Sequence, residues 1–330
     1  MKKVNWGVIS TASIGLTEVL PAMQKGQFTR LIGIASRSLE KAQHAADQLG
    51  IPKAYGSYEE LLADPEIEAV YIPLPNHLHV PWSIKALESG KHVLCEKPLG
   101  MDAADARRLL EASRRFPGLK VMEAFMYRHH PQWPLVMKLV REGEIGELRS
   151  IHAFFNYYLV DPANVRNQAD IGGGGLLDVG CYAVSVSRLV FAAEPSRALA
   201  AMELDPQFKT DRLTAGILEF ERGLATFTCS TQLADFQRVN ILGSQGQVEL
   251  DLPFNPLPDR PAYVRLQNLK GTRVLELEIC DQYTLQGDVF SKAILDDTPV
   301  PTPLEDALAN MAVIDALFSS ARSGSWAAVS

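Results

Sequence analysis

In Cys95-Glu96-Lys97-Pro98 the lysine directly follows a run, His92 to Glu96, that reads as a strand. That places Lys97 at the carboxyl edge of a sheet, where ligands bind in doubly wound folds. An ammonium there can hold a substrate hydroxyl or tune proton transfer to it. Taken in isolation, a loop lysine is more often solvated than catalytic. Further along, Asp178 and Tyr182 stand four residues apart behind the run Gly172-Gly173-Gly174-Gly175. On an α-helix that spacing puts both side chains on one face, one turn apart, and able to point at one ligand. The glycines would let the backbone approach a ligand closely and start the helix tightly. A hydrogen-bonded Tyr–Asp pair in the core is the plainer alternative.

A third constellation lies at the start of the chain. The run Val4 to Ile9 leads straight into Ser10-Thr11-Ala12-Ser13-Ile14-Gly15. The spacing is that of a G-x-G-x-x-G turn, but only Gly15 is kept, with Ser10 and Ala12 in the first two glycine positions. Small residues there still allow a pyrophosphate to reach a helix N-terminus. At the end of the next strand an NAD site usually carries Asp or Glu. Here Ser36-Arg37 stands instead, and a cation with a hydroxyl beside it suits the 2′-phosphate of NADP. The alternative is a surface arginine in the loop before a helix.

These residues need a scaffold, and the hydrophobic pattern supplies one. Val4–Ile9, Leu31–Ala35, Ala69–Ile72, His92–Glu96 and Val121–Ala124 read as short apolar strands. Between them run helical patterns at 14–24, 39–49, 58–62, 79–89 and 102–115. Ser38 and Ser57 are placed to cap two of these, Glu60 completes a capping box, and Gly90 ends a third. Short strands alternating with helices predict a parallel sheet covered on both faces. The pattern changes near residues 122–130. After a helix at 133–142 come a long strand at 150–158, a helix at 175–191, and strands at 214–220, 224–230, 238–242, 247–252, 263–269 and 273–279. Glu219–Leu224 and Gly243–Gly246 read as hairpin turns, and the four prolines of Pro253–Pro261 as a loop. Helices at 286–295 and 304–320 complete the chain, the last able to pack on either domain. The fold class is therefore α/β, a Rossmann dinucleotide-binding domain over 1–125, joined to an α+β domain over 126–330 with a large, mainly antiparallel sheet.

Composition narrows the partners. The 330 residues hold 32 Lys and Arg against 39 Asp and Glu, a net charge of −7, which argues against nucleic acid or an anionic membrane surface. Hydrophobic residues make up 47%, enough for two cores without metal or disulfide staples. The four cysteines form no CxxC pair and no Cys/His cluster, so no metal is expected and reduced thiols in the cytoplasm are. No apolar run approaches the length of a membrane span, and no export segment follows the N-terminal lysines.

In order and separation, several pieces together resemble the glucose-fructose oxidoreductase, inositol dehydrogenase and rhizopine-catabolism (Gfo/Idh/MocA) family. They are the altered glycine turn, Pro75-Asn76-His77-Leu78-His79, Glu96-Lys97-Pro98, Glu123-Ala124-Phe125-Met126-Tyr127-Arg128, and Gly172 through Tyr182. The resemblance spans essentially the whole chain. It implies that Lys97 contacts both nicotinamide and substrate and that Asp178 binds substrate. Tyr182 stands where the inositol dehydrogenase branch has histidine, a form similar to the dihydrodiol and NADP-dependent D-xylose dehydrogenase branches. It also implies cofactor contacts from Leu74, Pro75, Asn76, His79 and Glu96, and from Arg128 with Tyr127 near cofactor or substrate. Arg166 is implied near the substrate. Phe154, Tyr157 and Tyr158 would face either a pocket or another subunit, since family members pair through the sheet of the second domain as homodimers or homotetramers.

The implied reaction is hydride transfer between nicotinamide and a secondary alcohol or hemiacetal carbon of a sugar, cyclic polyol or trans-dihydrodiol. NADP(H) is favoured and NAD(H) possible. Tyr182 is the acid/base if Lys97 lies close enough to favour its phenolate. In the reverse assignment Lys97 carries the proton and Tyr182 orients. The alternatives are a reductase of keto-sugars, including nucleotide-linked 3-keto-sugars, and a dinucleotide-binding sensor without turnover.

Overall fold

The computed structural model describes residues 2–330 as two compact units. The first comprises the chain up to Met126 together with Asp281–Leu308, and the second comprises Tyr127–Cys280 with Ala309–Ser330.

In the first unit six strands, β1 (Val4–Ile9), β2 (Thr29–Ala35), β3 (Lys53–Tyr55), β4 (Ala69–Ile72), β5 (His92–Cys95) and β6 (Val121–Glu123), form one parallel sheet. Their order is β3-β2-β1-β4-β5-β6, the doubly wound arrangement. β4 is buried along its length and β1 at all but Asn5, because both faces of a parallel sheet are covered. The capping signals act as expected. Ser38 Oγ accepts from Lys41 N at the start of α2 (Leu39–Leu49), and Ser57 Oγ accepts from Glu60 N at α3 (Tyr58–Ala63). The Glu60 carboxylate reaches back to Gly56 N at 3.0 Å, one residue earlier than in a standard capping box. The first helical pattern is not a plain α-helix. Gly15–Val19 forms a π-helical turn before α1 (Leu20–Gln24). Pro21 has no N–H to continue the i→i−4 ladder, which is consistent with the widened turn there.

The sequence pattern assigns residues 281–308 to the second domain, but they lie in the first unit. α8 (Gln282–Leu295) packs Phe290 against Trp6 with ring centroids 5.6 Å apart. Trp6 Nε1 donates to Ser291 Oγ at 3.0 Å, and the Asp288 carboxylate accepts from Gln27 N and Phe28 N at 2.9 and 2.8 Å.

The second unit carries a nine-stranded sheet. Its strands are β7 (Leu148–Tyr158), β8 (Arg197–Leu204), β9 (Asp211–Phe220), β10 (Gly223–Ser230), β11 (Gln232–Gly243), β12 (Gly246–Leu250), β13 (Ala262–Asn268), β14 (Gly271–Leu277) and β15 (Ala327–Ala328). All neighbours pair antiparallel except β7 and β10. β8 escapes the sequence pattern because Ala-Leu-Ala-Ala-Met-Glu-Leu is rich in helix formers, and pairing with β9 overrides that preference. One face is covered by α6 (Gln132–Arg141), α7 (Cys181–Phe191) and the later part of α9 (Leu304–Ser323), where Asn310 Nδ2 donates to Cys181 O and Ser320 Oγ accepts from Ala200 N. The apolar stretch 169–191 is long enough to cross a bilayer by composition, yet 83% of its apolar window is buried in this core.

Phe290 is fully buried against Trp6. Phe290→Ala should cost roughly 3–5 kcal/mol of stability, read as a lower midpoint in thermal or denaturant unfolding.

Candidate active site

In the first unit the turn after β1 stands where a dinucleotide turn would, without the first two of its glycines. Ser10 has φ +121, a conformation that favours glycine. It is held there because its hydroxyl donates to Pro73 O at 3.1 Å and accepts from Ala12 N at 3.2 Å. Thr11 and Ala12 complete the turn. Ser13 and Ile14 open the helix, whose first N–H groups have no acceptor within it. Those donors at the carboxyl end of β1 fit a pyrophosphate. Ser36 and Arg37 follow β2. Ser36 is buried and accepts weakly from Ser38 N, whereas Arg37 is exposed, and its charge acts on Tyr58. An exposed guanidinium at this strand end fits a 2′-phosphate, and Tyr58 beside it is a neighbour that sequence spacing did not single out.

Behind these turns lie two buried struts. Tyr71 on β4 is fully buried, with an atom of its ring 3.7 Å from where a Cβ on Gly15 would stand. Its hydroxyl donates to Glu96 at 2.6 Å, so one side chain supports both the nucleotide turn and the segment carrying Lys97. The sequence pattern counted Tyr71 only as an apolar strand residue. His79, on α4 (Asn76–Glu88), has Nε2 2.6 Å from Leu74 O and Nδ1 2.7 Å from Pro98 O. Burial pushes its pKa down to about 4, against the two carbonyls, which favour the charged ring. His79 thus ties the Leu74-Pro75-Asn76 segment to Pro98, and at 1% exposure it acts from behind these loops.

In the second unit Asp178 is the centre of a polar cluster. Its carboxylate accepts from Tyr157 Oη and, at 2.9 Å, from Arg166 Nε. The Asp178 charge raises the guanidinium pKa, while burial and then Asp178 raise that of the Tyr157 phenol. Tyr157 was expected to face either a pocket or another subunit. It shares a face of β7 with Phe155, two residues away, and that face meets the 176–191 segment. Phe155 lies 5.3 Å from the Tyr182 ring. Tyr182 is also 5.7 Å from the Tyr127 ring and 5.3 Å from Phe254. Arg128 donates from Nε and Nη2 to Ser185 Oγ, which also bonds the Tyr127 hydroxyl at 2.7 Å.

The segment joining Asp178 to Tyr182 is not the uniform α-helix expected. Leu176–Gly180 is a π-helical turn, and α7 starts at Cys181. The glycine run crowds its own chain. A Cβ on Gly173 would lie 2.6 Å from Arg166 O, and one on Gly174, at φ +118, 2.0 Å from Asp211 Oδ1. Asp211, which the sequence did not flag, accepts from Leu176 N at 2.6 Å and Thr214 Oγ1 at 3.0 Å. Burial raises its pKa to about 6 despite these donors.

A doubly wound sheet with a dinucleotide turn and a basic second-strand end, joined to a unit bearing a Tyr and Asp cluster, defines a nicotinamide-dependent oxidoreductase. Residues 4–123 match the family model of an oxidoreductase family with an NAD-binding Rossmann fold, and 134–249 the Gfo/Idh/MocA C-terminal domain. The chain belongs to the Gfo/Idh/MocA oxidoreductase family. It is 46% identical to an uncharacterized oxidoreductase of Rhizobium meliloti over 100% of both chains. It is 37% identical to D-xylose 1-dehydrogenase (NADP(+)) 2 of Haloferax volcanii over 97% of this chain and 98% of that one. A crystal structure of a 3-ketoreductase from Actinomadura kijaniata, in complex with NADP and TDP-benzene, superposes with a TM-score of 0.91 at 31% identity, covering 97% of this chain and 98% of the other.

Two measurements probe this geometry. Backbone strain at Ser10 costs about 1–3 kcal/mol. Ser10→Gly removes that strain along with the two hydroxyl bonds, while Ser10→Ala loses the bonds and keeps the strain. The alanine variant should therefore melt lower than the glycine variant. For Asp211, the folded pKa of about 6 lies above its ordinary 3.8, so the folded state binds more protons between those values. This contribution to stability is largest below pH 4, falls as pH rises toward 6, and is flat above. Asp211→Asn should remove it, up to roughly 3 kcal/mol in the pH 4–6 difference of unfolding free energy.

Proposed function

We propose that this protein is an NADP(H)-dependent sugar oxidoreductase whose main reaction is reduction of a keto-sugar, nucleotide-linked keto-sugars included. The observation that carries this reading is the likeness, over both units, to the Actinomadura kijaniata 3-ketoreductase bound to NADP and a TDP compound. The exposed Arg37 after β2 supports the phosphorylated cofactor. A second reading, oxidation of an aldose, is favoured by the 37% identity to the Haloferax volcanii D-xylose 1-dehydrogenase.

NADP(H), when bound, supplies or receives the hydride. The N–H groups opening the helix after Ser10, Thr11 and Ala12 would hold its pyrophosphate, Ser36 and Arg37 its 2′-phosphate, and Leu74, Pro75, Asn76 and Glu96 its nicotinamide half. Tyr182 gives the proton to the carbonyl oxygen during reduction and takes it back in oxidation, with Lys97 holding that oxygen. The exchanged assignment, with Lys97 as proton carrier, remains the alternative. Asp178, fixed by Tyr157 and Arg166, accepts from a neighbouring sugar hydroxyl. The outer face of the nine-stranded sheet, with Phe154 beside the exposed Phe236, is the proposed surface for homodimers or homotetramers. Four free thiols, three of them buried, are consistent with the cytoplasm.

The test is a panel of D-xylose, D-glucose, myo-inositol, trans-cyclohexanediol and 3-keto-glucose, followed at 340 nm in both directions with NADP(H) and NAD(H). Turnover of the keto-sugar with NADPH is expected. Binding of NADPH without turnover of any member would identify a sensor. Arg37→Ala should weaken NADPH binding about 10–100-fold while leaving NADH binding unchanged. Lys97→Ala should lower kcat by at least about 10²-fold with an unchanged melting temperature. Normal turnover by that variant would remove Lys97 from the mechanism.

A further inference from the structure

We infer that Phe254 is a positioning residue for Tyr182, delivered by a proline-rich loop whose purpose is to hold the phenol at one aim. The inference rests on the proton-transfer role proposed for Tyr182.

The loop joins β12 to β13 and contains Pro253, Pro256, Pro258 and Pro261. Each proline fixes its own φ and restricts the residue before it, so the segment loses little freedom on folding. Its start is anchored twice. Pro253 O accepts from Gln132 Nε2 at 2.7 Å and from Trp133 Nε1 at 3.1 Å, both on α6. The next residue, Phe254, is fully buried, while Leu252 and Leu257 on either side of it are over two-fifths exposed. The loop thus turns its aliphatic side chains outward and its one aromatic ring inward.

That ring enters a cluster centred on Tyr182. Phe254 stacks on Phe155 at 5.1 Å and 13°, stands edge-on to Tyr127 at 5.5 Å and 89°, and tilts against Tyr182 at 5.3 Å. Phe155 and Tyr127 also touch Tyr182 themselves. Trp133, one of the two anchors of Pro253, is edge-on to Tyr127 at 5.5 Å. The Tyr182 ring is therefore bounded by three aromatic rings from three different parts of the second unit. Two of them, Phe155 on β7 and Tyr127 beside the Arg128–Ser185 contact, belong to regular or hydrogen-bonded structure. Phe254 is the wall supplied by a loop. Without it the Tyr182 ring gains a cavity into which it can tilt, and a displacement of about 1 Å at a reacting group can cost about 10²-fold in rate.

The experiment is a double-mutant cycle between Phe254 and Tyr182, measured with NADPH and the fastest sugar of the panel. Phe254→Ala should lower kcat about 10–100-fold, with KM and the NADPH dissociation constant changed less than about threefold. Phe254→Leu, which keeps most of the volume, should show a smaller loss and a near-normal melting temperature, and it carries the cycle if the alanine variant folds poorly. In a Tyr182→Phe background either change should lower kcat by less than about threefold, because the group being positioned is gone. Losses that multiply in the double variant overturn the inference, as do wild-type kcat values in both single variants. If Tyr182→Phe alone keeps full kcat, the proton role of Tyr182 fails and this inference falls with it. A normal cycle beside an inactive Lys97→Ala leaves both standing.

Discussion

The second unit is organised around the carboxylate of Asp178. It draws Tyr157 from the middle of the sheet and Arg166 from a short helical turn onto one point. The Asp178 carboxylate is largely removed from water, and a charge so placed is tolerable only with such hydrogen bonds and the more exposed Arg166 beside it. Everything near them is shaped by that demand. The turn bearing Arg166 must approach the helix bearing Asp178, and Gly173 is the residue whose missing Cβ admits the Arg166 carbonyl. On the other side Gly174 admits Asp211, which satisfies the N–H of Leu176 at the start of the same helix. Two buried carboxylates, Asp178 and Asp211, thus hold one segment in place.

The first unit solves a comparable problem with different parts. A dinucleotide turn needs a backbone conformation that serine resists, and Ser10 adopts it because its hydroxyl bonds both the next strand end and its own turn. The strictness of the glycine pattern is relaxed where a side chain can stabilise the conformation that glycine would reach unaided. Tyr71 and His79 act in the same spirit. Neither faces solvent, yet each ties together segments at the carboxyl edge of the sheet through one polar bond or a pair of them.

Much of this was legible from residue types. Alternating apolar runs and capping serines located the parallel sheet and most of its helices, because local signals and tertiary structure agree there. The end of β5 placed Lys97 correctly at the carboxyl edge, a consequence of topology alone. Other features were not legible, for stated reasons. The segment from Asp178 to Tyr182 reads as an α-helix, and no local signal marks the π-helical turn at Leu176–Gly180. β8 carries helix-forming residues and becomes a strand through its partner. Asp211 bears no local signal, and the partner of Tyr157 could not be read, since their bonds join groups 35 and 21 residues apart in sequence.

The return of residues 281–308 to the first unit has a consequence for how the protein can be divided. The chain passes between the units three times, so neither is a continuous piece of sequence. A fragment ending at the first crossing would lose the Trp6–Phe290 contact and the Asp288 bonds to the turn before β2, leaving an indole and two amide groups without their cover. The cover of the nucleotide-binding sheet is therefore completed only after residues 127–280 of the second unit have been synthesised. In a growing chain the cofactor domain waits on its partner's sequence, and a single nick between the units does not release either one intact.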